Sequence, residues 1–377
     1  MSQQSENSVL NLYSAALQHR LSRRQLLERA AQLGMAAAGV QALLACGSSA
    51  PATASNNPGE RPDLAKAKQE GTLTVWCGDQ EDLVVEFLKS FTDKTGIAAQ
   101  EVHILPGAGL PKLEAELSAG QTDVDVWMIS DVGILEQLRK QGHLLRYSSP
   151  ELSGFDSKYK SNPLGYWTAY TIDAPAIMYD PRYLRDQDAP QTYEALLDGR
   201  WKGQLGFQNS SSGDQYAWWY ILKDLLPSNY WDQLASQLPR AFSSTTQIIQ
   251  EVHSGDLKVG AKVGVFQYVL ALRKQQPTKM ILPKMGLPST AESAGIIAVT
   301  SRPNASKAFI DYLLSAEGQQ KWSTINGLYS PRPEVTIPEL PPLSSVKILL
   351  PSNLDDYSSP ANHQKFVSLW NHIVGLS

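Results

Sequence analysis

Cysteine is scarce in this sequence of 377 residues, which contains only Cys46 and Cys77. Exported domains that depend on several disulfides, and zinc sites built on Cys-x-x-Cys pairs, both need more cysteines than this. The six histidines are scattered, with no two at the spacing of a ligand pair, and no His-Glu-x-x-His motif occurs. The sequence therefore lacks the signals of a zinc protein and of a disulfide-dependent fold.

A surplus of positive charge is also lacking. The 33 Lys and Arg residues are outnumbered by 37 Asp and Glu residues, which gives a net charge of −4. Removal of residues 1–45, which hold four arginines and two glutamates, would make the remainder more negative. Because nucleic-acid-binding proteins usually show a basic excess, the composition predicts no nucleic-acid partner.

The N-terminal region has no hydrophobic run long enough to span a bilayer. Residues 30–45 are uncharged, but they include Gln and Gly and fall short of the roughly 20 apolar residues of a membrane-spanning helix. Arg23 and Arg24 precede this segment. Paired arginines before a mildly apolar stretch are typical of the twin-arginine export route. We therefore expect residues 1–45 to be a signal peptide that is removed on export.

The segment Leu43-Leu44-Ala45-Cys46-Gly47 follows directly. It resembles the lipobox of bacterial lipoprotein precursors, in which the cysteine is acylated and the chain is cut just before it. The resemblance implies that Cys46 is the lipidation site and holds the protein at a membrane. The alternative is an amphipathic surface helix that happens to end in a cysteine.

A flexible tether is predicted over residues 46–68. Residues 47–62 are rich in Ser, Ala, Pro, Asn and Gly. Such a segment buries too little apolar surface to offset the entropy lost on ordering it. The remaining chain is longer than the roughly 250–300 residues at which a single core stops growing, so two domains are expected after the tether.

The first half of the folded part alternates between strand and helix patterns. Residues 71–76, 97–104 and 123–129 have strand patterns, and residues 81–95, 110–117 and 131–141 have helical stripes. Strands separated by helices predict an α/β fold with a parallel sheet. Ligands of such sheets bind beyond the carboxyl ends of the strands.

The second half changes character. Residues 166–179 are extended and poor in helix signals, which suggests a connection between two lobes. Residues 209–213 open a helix rich in aromatic residues, and residues 294–300 have the pattern of a buried strand. Asn304 is predicted to cap a helix over residues 305–314.

Four further segments have a recognisable order along the chain. They are residues 125–131 (DVWMISD), 165–168 (GYWT), 198–203 (DGRWKG) and 306–320 (SKAFIDYLLSAEGQQ), the last followed by GLYSPRPEV at 327–335. Together they resemble the family 1 extracellular solute-binding proteins of bacterial ABC importers, particularly the ferric-iron-type branch. The resemblance spans about residues 70–350. It implies a two-lobed type 2 periplasmic binding protein with two crossover strands and a ligand cleft between the lobes.

The resemblance also implies boundaries and a role. Residues 69–170 and 291–377 would form the first lobe, and residues 171–290 the second. The protein would be a periplasmic, lipid-anchored monomer that captures a small polar solute by lobe closure and delivers it to a permease and its ATPase. It would have no catalysis of its own and no cofactor. The implied ligand is ferric iron, bound with a synergistic anion, or an oxyanion-bearing organic compound.

Two turns after strands of the first lobe are expected to face the cleft. After the first strand, Trp76 would form an aromatic wall and Asp79 or Gln80 a polar contact. The alternative for Asp79 is that it only caps the next helix. After the third strand, Ser130 and Asp131 would point towards the ligand.

A turn of the second lobe, Ser211-Ser212-Gly213, opens the aromatic helix. Hydroxyl groups and free backbone N–H groups at a helix N-terminus can hold an oxyanion. A plain helix cap would favour the same residue types. Trp167, in the connector, would add an aromatic contact to the cleft or else pack in the hinge.

A further turn of the second lobe contains Gln267 and Tyr268. In the iron-binding relatives the resemblance implies adjacent tyrosines at this place, but here Tyr268 stands beside Phe266 and Gln267. Ferric iron favours several anionic oxygens, so Tyr268 is a candidate metal ligand whose missing neighbour places iron in question. Tyr329 either approaches the same site or packs in the core.

Alternatives to this interpretation remain. A carboxylate-rich rim, formed by Asp79, Glu81, Asp82, Asp131 and Asp214, would favour a cationic ligand such as a polyamine. An exported hydrolase is a second class of function, although no Gly-x-Ser-x-Gly motif occurs. A third class is a ligand-sensing module that acts on a signalling partner.

Overall fold

The structure, a computed structural model, describes residues 59–376. The predicted signal peptide and Cys46 lie outside this part. The strands in it are β1 (Leu73–Cys77), β2 (Ala99–His103), β3 (Val126–Ile129), β4 (Leu144–Leu145), β5 (Trp167–Asp173), β6 (Ala176–Tyr179), β7 (Leu205–Gln208), β8 (Arg240–Phe242), β9 (Val259–Val263), β10 (Lys279–Ile281), β11 (Leu287–Pro288), β12 (Thr290–Ile297) and β13 (Ile348–Leu349).

Helices separate most of these strands, as the alternating pattern predicts. They are α1 (Leu64–Gln69), α2 (Glu81–Thr95), α3 (Pro106–Ser118), α4 (Val132–Lys140), α5 (Gly213–Leu222), α6 (Tyr230–Ser236), α7 (Thr245–Ser254), α8 (Val265–Arg273), α9 (Pro303–Leu314), α10 (Ala316–Asn326), α11 (Leu354–Tyr357) and α12 (Pro360–Ile373). Among residues 59–376, no helix has both the length and the apolar character that crossing a bilayer requires.

The first sheet has the strand order β2-β1-β3-β12-β4, and β5 also pairs with β12. The pairs of β1 with β2 and with β3 are parallel, whereas β12 runs antiparallel to β3, β4 and β5. The sheet is therefore mixed rather than purely parallel, because β12 returns from much later in the chain. The carboxyl ends of β1 and β3 share one edge, as the sequence predicts.

The second sheet has the order β10-β6-β9-β7-β8. Strand β7 is parallel to both β8 and β9, while β6 runs antiparallel to β9 and β10. Helices cover both faces of each sheet, which buries apolar side chains on either side of every central strand. We call each sheet with the helices on it a lobe, and the predicted two-lobed α/β architecture is confirmed.

Two segments cross from one sheet to the other. Only Ala174 and Pro175 separate β5 of the first sheet from β6 of the second. In the opposite direction, the chain runs from β10 of the second sheet through β11 to β12 of the first. Strand β11 pairs with β13 in a separate two-stranded sheet, and Ser289 alone separates it from β12. The extended connector that the sequence predicts over residues 166–179 corresponds to β5 and β6.

Helix α1 lies almost wholly within the segment predicted as a tether, which ends at residue 68. Asp63 caps α1 by accepting from the backbone N–H groups of Ala65 and Lys66. Ala67 of this helix is fully buried in the core of the first lobe. The burial of Ala67, the cap and the hydrogen bonds that join Asp63 and Glu70 to the start of α9 together hold this short helix.

The start of α9 differs from the predicted cap at Asn304. The helix begins at Pro303, whose fixed φ angle and missing N–H suit the first helical position. The side chain of Asn304 instead accepts from the backbone N–H of Asp63 and donates to Glu70. Asn304 thus joins α9 to α1 rather than capping the start of α9.

The last helix packs against the second lobe. Phe366 and Trp370 of α12 belong to the same core as Trp218 of α5, and the Trp370 indole N–H donates to the carbonyl oxygen of Gln208. The predicted boundaries assign residues 291–377 to the first lobe. We propose that residues 354–376 be counted with the second lobe instead, since their apolar side chains are buried there.

Candidate ligand cleft

A cavity of about 200 Å³ lies where the ends of β1 and β3 meet the start of α5. Its apolar wall comes from the first lobe, and its polar groups come from both lobes. The apolar residues are Ile104, Leu105, Pro106, Met128 and Ile129, and the polar residues are Asp79, Ser130, Tyr170, Asp214 and Glu292. Three carboxyl groups therefore face a largely hydrocarbon surface.

Two of these carboxyl groups share one phenol. The Tyr170 hydroxyl lies 3.0 Å from Oδ2 of Asp79 and 2.9 Å from Oε2 of Glu292. A phenol has one proton to donate, so both contacts are hydrogen bonds only if one carboxyl group is itself protonated and donates to the phenol oxygen. The geometry thus fits an acid pair that holds a proton.

The electrostatics of the pair agree with this interpretation. Burial raises the pKa of Asp79, and burial together with the charge of Asp79 raises the pKa of Glu292 well above its ordinary value. The Tyr170 phenol is buried against both, which raises its pKa as well. Two carboxylates in a poorly hydrated space cannot both ionise without a cation nearby.

A β-bulge explains why Tyr170 faces this pair. Thr171 lies opposite Glu292 and Ala169 lies opposite Ser293, so Tyr170 is the extra residue between two paired positions. Bulges commonly redirect a side chain next to a functional site. Trp322 packs edge-on against the Tyr170 ring at 5.1 Å between centroids, which fixes the ring while the hydroxyl reaches the cavity.

The second lobe contributes a charged group of its own to the cavity. Asp214 is in the first turn of α5, and its Oδ2 lies 4.0 Å from the ammonium of the buried Lys262. Lys262 also donates to the side-chain oxygen of Gln208 at 2.9 Å. The charge of Asp214 raises the pKa of Asp79 and of Glu292, so the acids of the two lobes act on one another.

Asp173, at the end of β5, is a fourth acid in this region. Its Oδ1 atom is buried and has no hydrogen-bond partner within residues 59–376. Burial and the charge of Asp214 raise its pKa to about 7, against the opposing effect of Lys262. Lys262 thus lies beside two of these four acids, Asp173 and Asp214, and the region has an excess of negative charge when all four are ionised.

The two helix N-termini at the cleft already have partners. Ser212 caps α5 by accepting from the backbone N–H of Gln215, and the Asn209 side chain accepts from the N–H and hydroxyl of Ser211. At α8, the backbone N–H of Val265 faces the carboxylate of Asp173. One N–H donor at each of these helix ends is therefore used within the protein.

Two of the predicted contacts of the first lobe line the cavity, namely Asp79 and Ser130. Gln80 is exposed at the N-cap of α2 and makes no side-chain cap. Trp76 is fully buried outside the cavity, where its ring meets Trp127 edge-on at 5.6 Å. The indole fills the space between β1 and α3 instead of forming a cleft wall.

Asp131 and Trp167 have other partners. Asp131 caps α4 by accepting from the N–H of Gly133 at 3.0 Å. The Trp167 indole N–H donates to Glu136, and its ring lines a separate surface groove with Leu350 and Leu354. Neither side chain lines the cavity that contains Asp79.

The predicted residues of the second lobe lie around the cavity rather than in its wall. Ser211, Ser212 and Gly213 form the turn before α5, next to the cavity residue Asp214. Gln267 is buried and donates to the Thr246 hydroxyl at 3.2 Å. The turn is close to the cavity, but its hydroxyl groups serve as caps.

Burial raises the pKa of Tyr329, and the nearby phenol of Tyr268 adds to that effect. Tyr268 is half-buried and packs against the apolar core of the second lobe. Tyr329 is buried, and its hydroxyl has no hydrogen-bond partner within residues 59–376. In that same part of the chain, no three His, Cys, Asp or Glu side chains are grouped so as to hold a metal ion.

Sequence reasoning missed Glu292, Lys262 and the role of Tyr170. A usable signal was present for two of them, because Glu292 and Lys262 are charged residues inside otherwise apolar or small-residue strands. A charge is rarely buried unless it has a partner or a function. Tyr170 gave no such signal, because a tyrosine in a buried strand is ordinary.

Comparison with known proteins assigns the chain to a family. Residues 86–342 match the family described as "Bacterial extracellular solute-binding protein". Iron uptake protein A1 of Synechocystis is 27% identical over 175 residues, which are 46% of this chain and 45% of that protein. The match thus spans less than half of the relative. The major ferric iron-binding protein of Neisseria meningitidis is 19% identical over 70% of this chain and 82% of its own length.

Solved structures agree with the fold. Iron-bound HitA from Pseudomonas aeruginosa has a TM-score of 0.69 at 20% identity, covering 80% of this chain and 99% of that one. AfuA from Actinobacillus pleuropneumoniae, with bound fructose-6-phosphate, has a TM-score of 0.67 at 20% identity, covering 81% and 99%. With two sheets, two crossings and a cavity between them, this chain belongs to the bacterial extracellular solute-binding protein family.

Proposed function

We propose that this protein is the solute-binding subunit of an ABC importer, which captures a small polar solute in the cavity between its lobes and delivers it to a permease and ATPase. The observation that supports this most is the composition of the cavity wall. Asp79 and Glu292 come from the first lobe and Asp214 from the second, so a ligand that contacts all three joins the lobes.

The crossing segments connect ligand binding to closure of the lobes. Tyr170 and Asp173 are on β5 and Glu292 is on β12, the two strands that lead from one sheet to the other. A ligand bound at these residues acts directly on the hinge. Binding energy would then shift the population towards a closed form that a permease can recognise.

Small-angle scattering of the purified protein with and without solutes tests this function. A ligand that binds one-to-one should reduce the radius of gyration as the lobes close. If a broad panel of metabolites and metal ions gives neither binding nor compaction, the transport role is contradicted.

The protein is proposed to act at the periplasmic face of a membrane, exported by the twin-arginine route and anchored through Cys46. The sequence at Arg23, Arg24 and Cys46 supports this. Fractionation of cells that express the chain is the test. Cys46→Ala should move the protein from the membrane fraction to the soluble fraction, and replacing both arginines with lysine should block export. A Cys46→Ala variant that stays entirely with membranes would contradict the anchor.

Ferric iron with a synergistic anion is the ligand suggested by the names of the relatives. The nearness of Tyr268 and Tyr329 is the observation in its favour, because phenolates are suitable ligands for a hard cation. Iron loading should then produce a phenolate-to-iron absorption band that disappears in Tyr268→Phe. A colourless, iron-free protein after exposure to ferric citrate would remove iron from consideration.

A further inference from the structure

We infer that the cavity binds a small aliphatic amine in its ammonium form, with the carboxylates of Asp79, Glu292 and Asp214 as its partners. This inference deepens the proposed function, on which it rests, by naming the chemical class of the solute. Four observations support it.

The first observation is the balance of charge. Asp79, Glu292, Asp173 and Asp214 act on one another electrostatically, and Lys262 supplies one buried ammonium group among them. Buried carboxylates are stable only when they are paired, coordinated or protonated. An ammonium ligand supplies the missing positive charge, whereas an anionic ligand would add to the excess.

The second observation concerns the backbone N–H groups at the helix N-termini beside the cavity. The ends of α5 and α8 are the places where a bound oxyanion would find free N–H groups. At the first, Ser212 accepts from the N–H of Gln215, and at the second Asp173 accepts from the N–H of Val265. A phosphate or carboxylate ligand at either end would find one N–H donor already used and would also approach a carboxylate, Asp214 at the first and Asp173 at the second.

The third observation is an acceptor left without a partner. The buried Oδ1 of Asp173 accepts no hydrogen bond from residues 59–376, which is costly for a carboxylate. Tyr170 and Lys262 have other partners. Asp173 does not line the cavity itself, so this unpaired oxygen adds negative charge beside the cavity, which a bound ammonium ion would offset.

The fourth observation is the apolar part of the wall, which favours an organic cation over a metal ion. Leu105, Met128 and Ile129 line the same cavity as the carboxylates. A hydrated metal ion gains nothing from such a surface, but a short alkyl chain does. A cavity of about 200 Å³ is smaller than those of drug-sized ligands and suits a chain of a few carbons.

Binding should release a proton. When the cavity is empty, the geometry around Tyr170 requires a proton on Asp79 or Glu292. When an ammonium ion binds between the carboxylates, the shared proton is released to solvent. One cation is therefore bound for each proton released. Affinity should therefore rise with pH as the pair loses its proton, as long as the alkylamine itself stays protonated. Cys77, Asp173 and Asp214 act electrostatically on the pair and modulate this dependence, and Lys262 acts through Asp173 and Asp214.

The experiment compares ligands of equal length and different charge. Isothermal titration of the purified full-length protein would use putrescine, n-butylamine, butanediol and succinate, each in two buffers with different ionisation enthalpies. We expect binding by the amines alone, with proton release that appears as a buffer-dependent enthalpy. Binding of succinate without the amines would overturn the inference and leave the proposed function intact. Absence of binding and of compaction with a broad solute panel would instead overturn both.

Substitutions that keep the side-chain shape but remove its charge distinguish a direct role in amine binding from a structural role. Glu292→Gln and Asp214→Asn should each weaken amine binding by about 30-fold or more, as expected when one partner of a buried charge pair is removed. The exposed carboxylates of Glu114 and Asp232, one in each lobe, provide controls as Glu114→Gln and Asp232→Asn. Equal affinity of Glu292→Gln and Glu114→Gln for putrescine would contradict the assignment. If Glu292→Gln fails to fold, the buffer dependence in the unmodified protein still decides the question.

Discussion

Tyr170 and Glu292 lie on paired antiparallel strands, with the phenol oxygen 2.9 Å from Oε2 of the carboxyl group. The bulge in β5 makes this contact, because a regular register would give Tyr170 a partner across the ladder and turn its side chain differently. The same hydroxyl reaches Asp79 at 3.0 Å. One side chain thus joins two acids that arrive from different parts of the sequence.

Removal of this hydroxyl should weaken both folding and ligand binding. Tyr170→Phe keeps the ring against Trp322 but leaves two buried carboxyl groups without their shared partner. A buried acceptor that loses its donor costs about 1–3 kcal/mol. Urea unfolding should show a loss of this size, which grows as the pH rises and the acids ionise. The exposed Tyr183 gives a matched control as Tyr183→Phe, and equal stability of the two variants would contradict the role of Tyr170.

Glu101 on the edge strand β2 should make stability depend on pH. Its side chain is only 2% exposed, neither oxygen has a hydrogen-bond partner within residues 59–376, and burial raises its pKa to about 7. Its ordinary value is 4.5, so the folded protein binds more protons than the unfolded chain between these two pH values. The free energy of unfolding must then fall as the pH rises through this range.

Glu101→Gln removes that contribution. The variant should be more stable than the original protein at about pH 8 by roughly 1 kcal/mol or more, with a smaller difference at about pH 5. His103, whose Nδ1 lies 3.5 Å from Glu101, limits the effect by opposing the shift when protonated. Glu114→Gln at an exposed position should change little. A Glu101→Gln variant that is less stable at high pH would show that the carboxylate has a partner in solution.

Two glycines of α3 allow a test of close packing in the first lobe. A Cβ atom at Gly109 would lie 2.6 Å from Cζ2 of Trp127, whereas one at Gly107 would meet nothing within 4 Å. Gly109→Ala should destabilise the protein by about 1–3 kcal/mol, because Trp127 is locked against Trp76. Gly107→Ala should be neutral or stabilise by up to about 1 kcal/mol. Thermal unfolding that ranks the two variants in the opposite order would contradict this packing.

The contacts of the last helix can be measured in a similar way. Trp370 is fully buried, while Val367 on the same helix is 40% exposed. Trp370→Ala should cost about 3–5 kcal/mol by leaving a cavity beside Phe207 and Trp218. Val367→Ala should cost much less. Hydrogen exchange would then show faster opening in α5 and β7 of the second lobe in the Trp370 variant, and faster exchange confined to the first lobe would contradict the assignment of residues 354–376.

The fold was predictable because its signals are local. The apolar stripe of residues 81–95 gave α2 with the correct bounds, and Gly96 ends that helix at a φ of 71°. The alternating residues before it gave β1. The position of β12 between β3 and β4 was not visible, because a strand that joins a sheet from later in the chain leaves no mark on its neighbours.

The cavity was predictable only in part for the same reason. Asp79 and Ser130 follow strands β1 and β3, whose shared edge the alternating pattern predicts. Glu292 reaches them through a pairing that spans well over a hundred residues of sequence. Trp76 was expected in the cleft because it ends a strand, but its register partner is Trp127, and the two indoles pack together on the other face. Which face a strand-end residue occupies depends on pairing.

Asp214 stands on one side of the cavity and Asp79 and Glu292 stand on the other. Bringing ionised acids together in a space with little water raises the energy of the system, unless a cation comes between them. In the proposed transport role, an unloaded protein would therefore resist closing into the compact form that is proposed to bind the permease. Binding of the unloaded protein to the transporter would then be rare, and most ATP hydrolysis would occur in cycles that carry a solute.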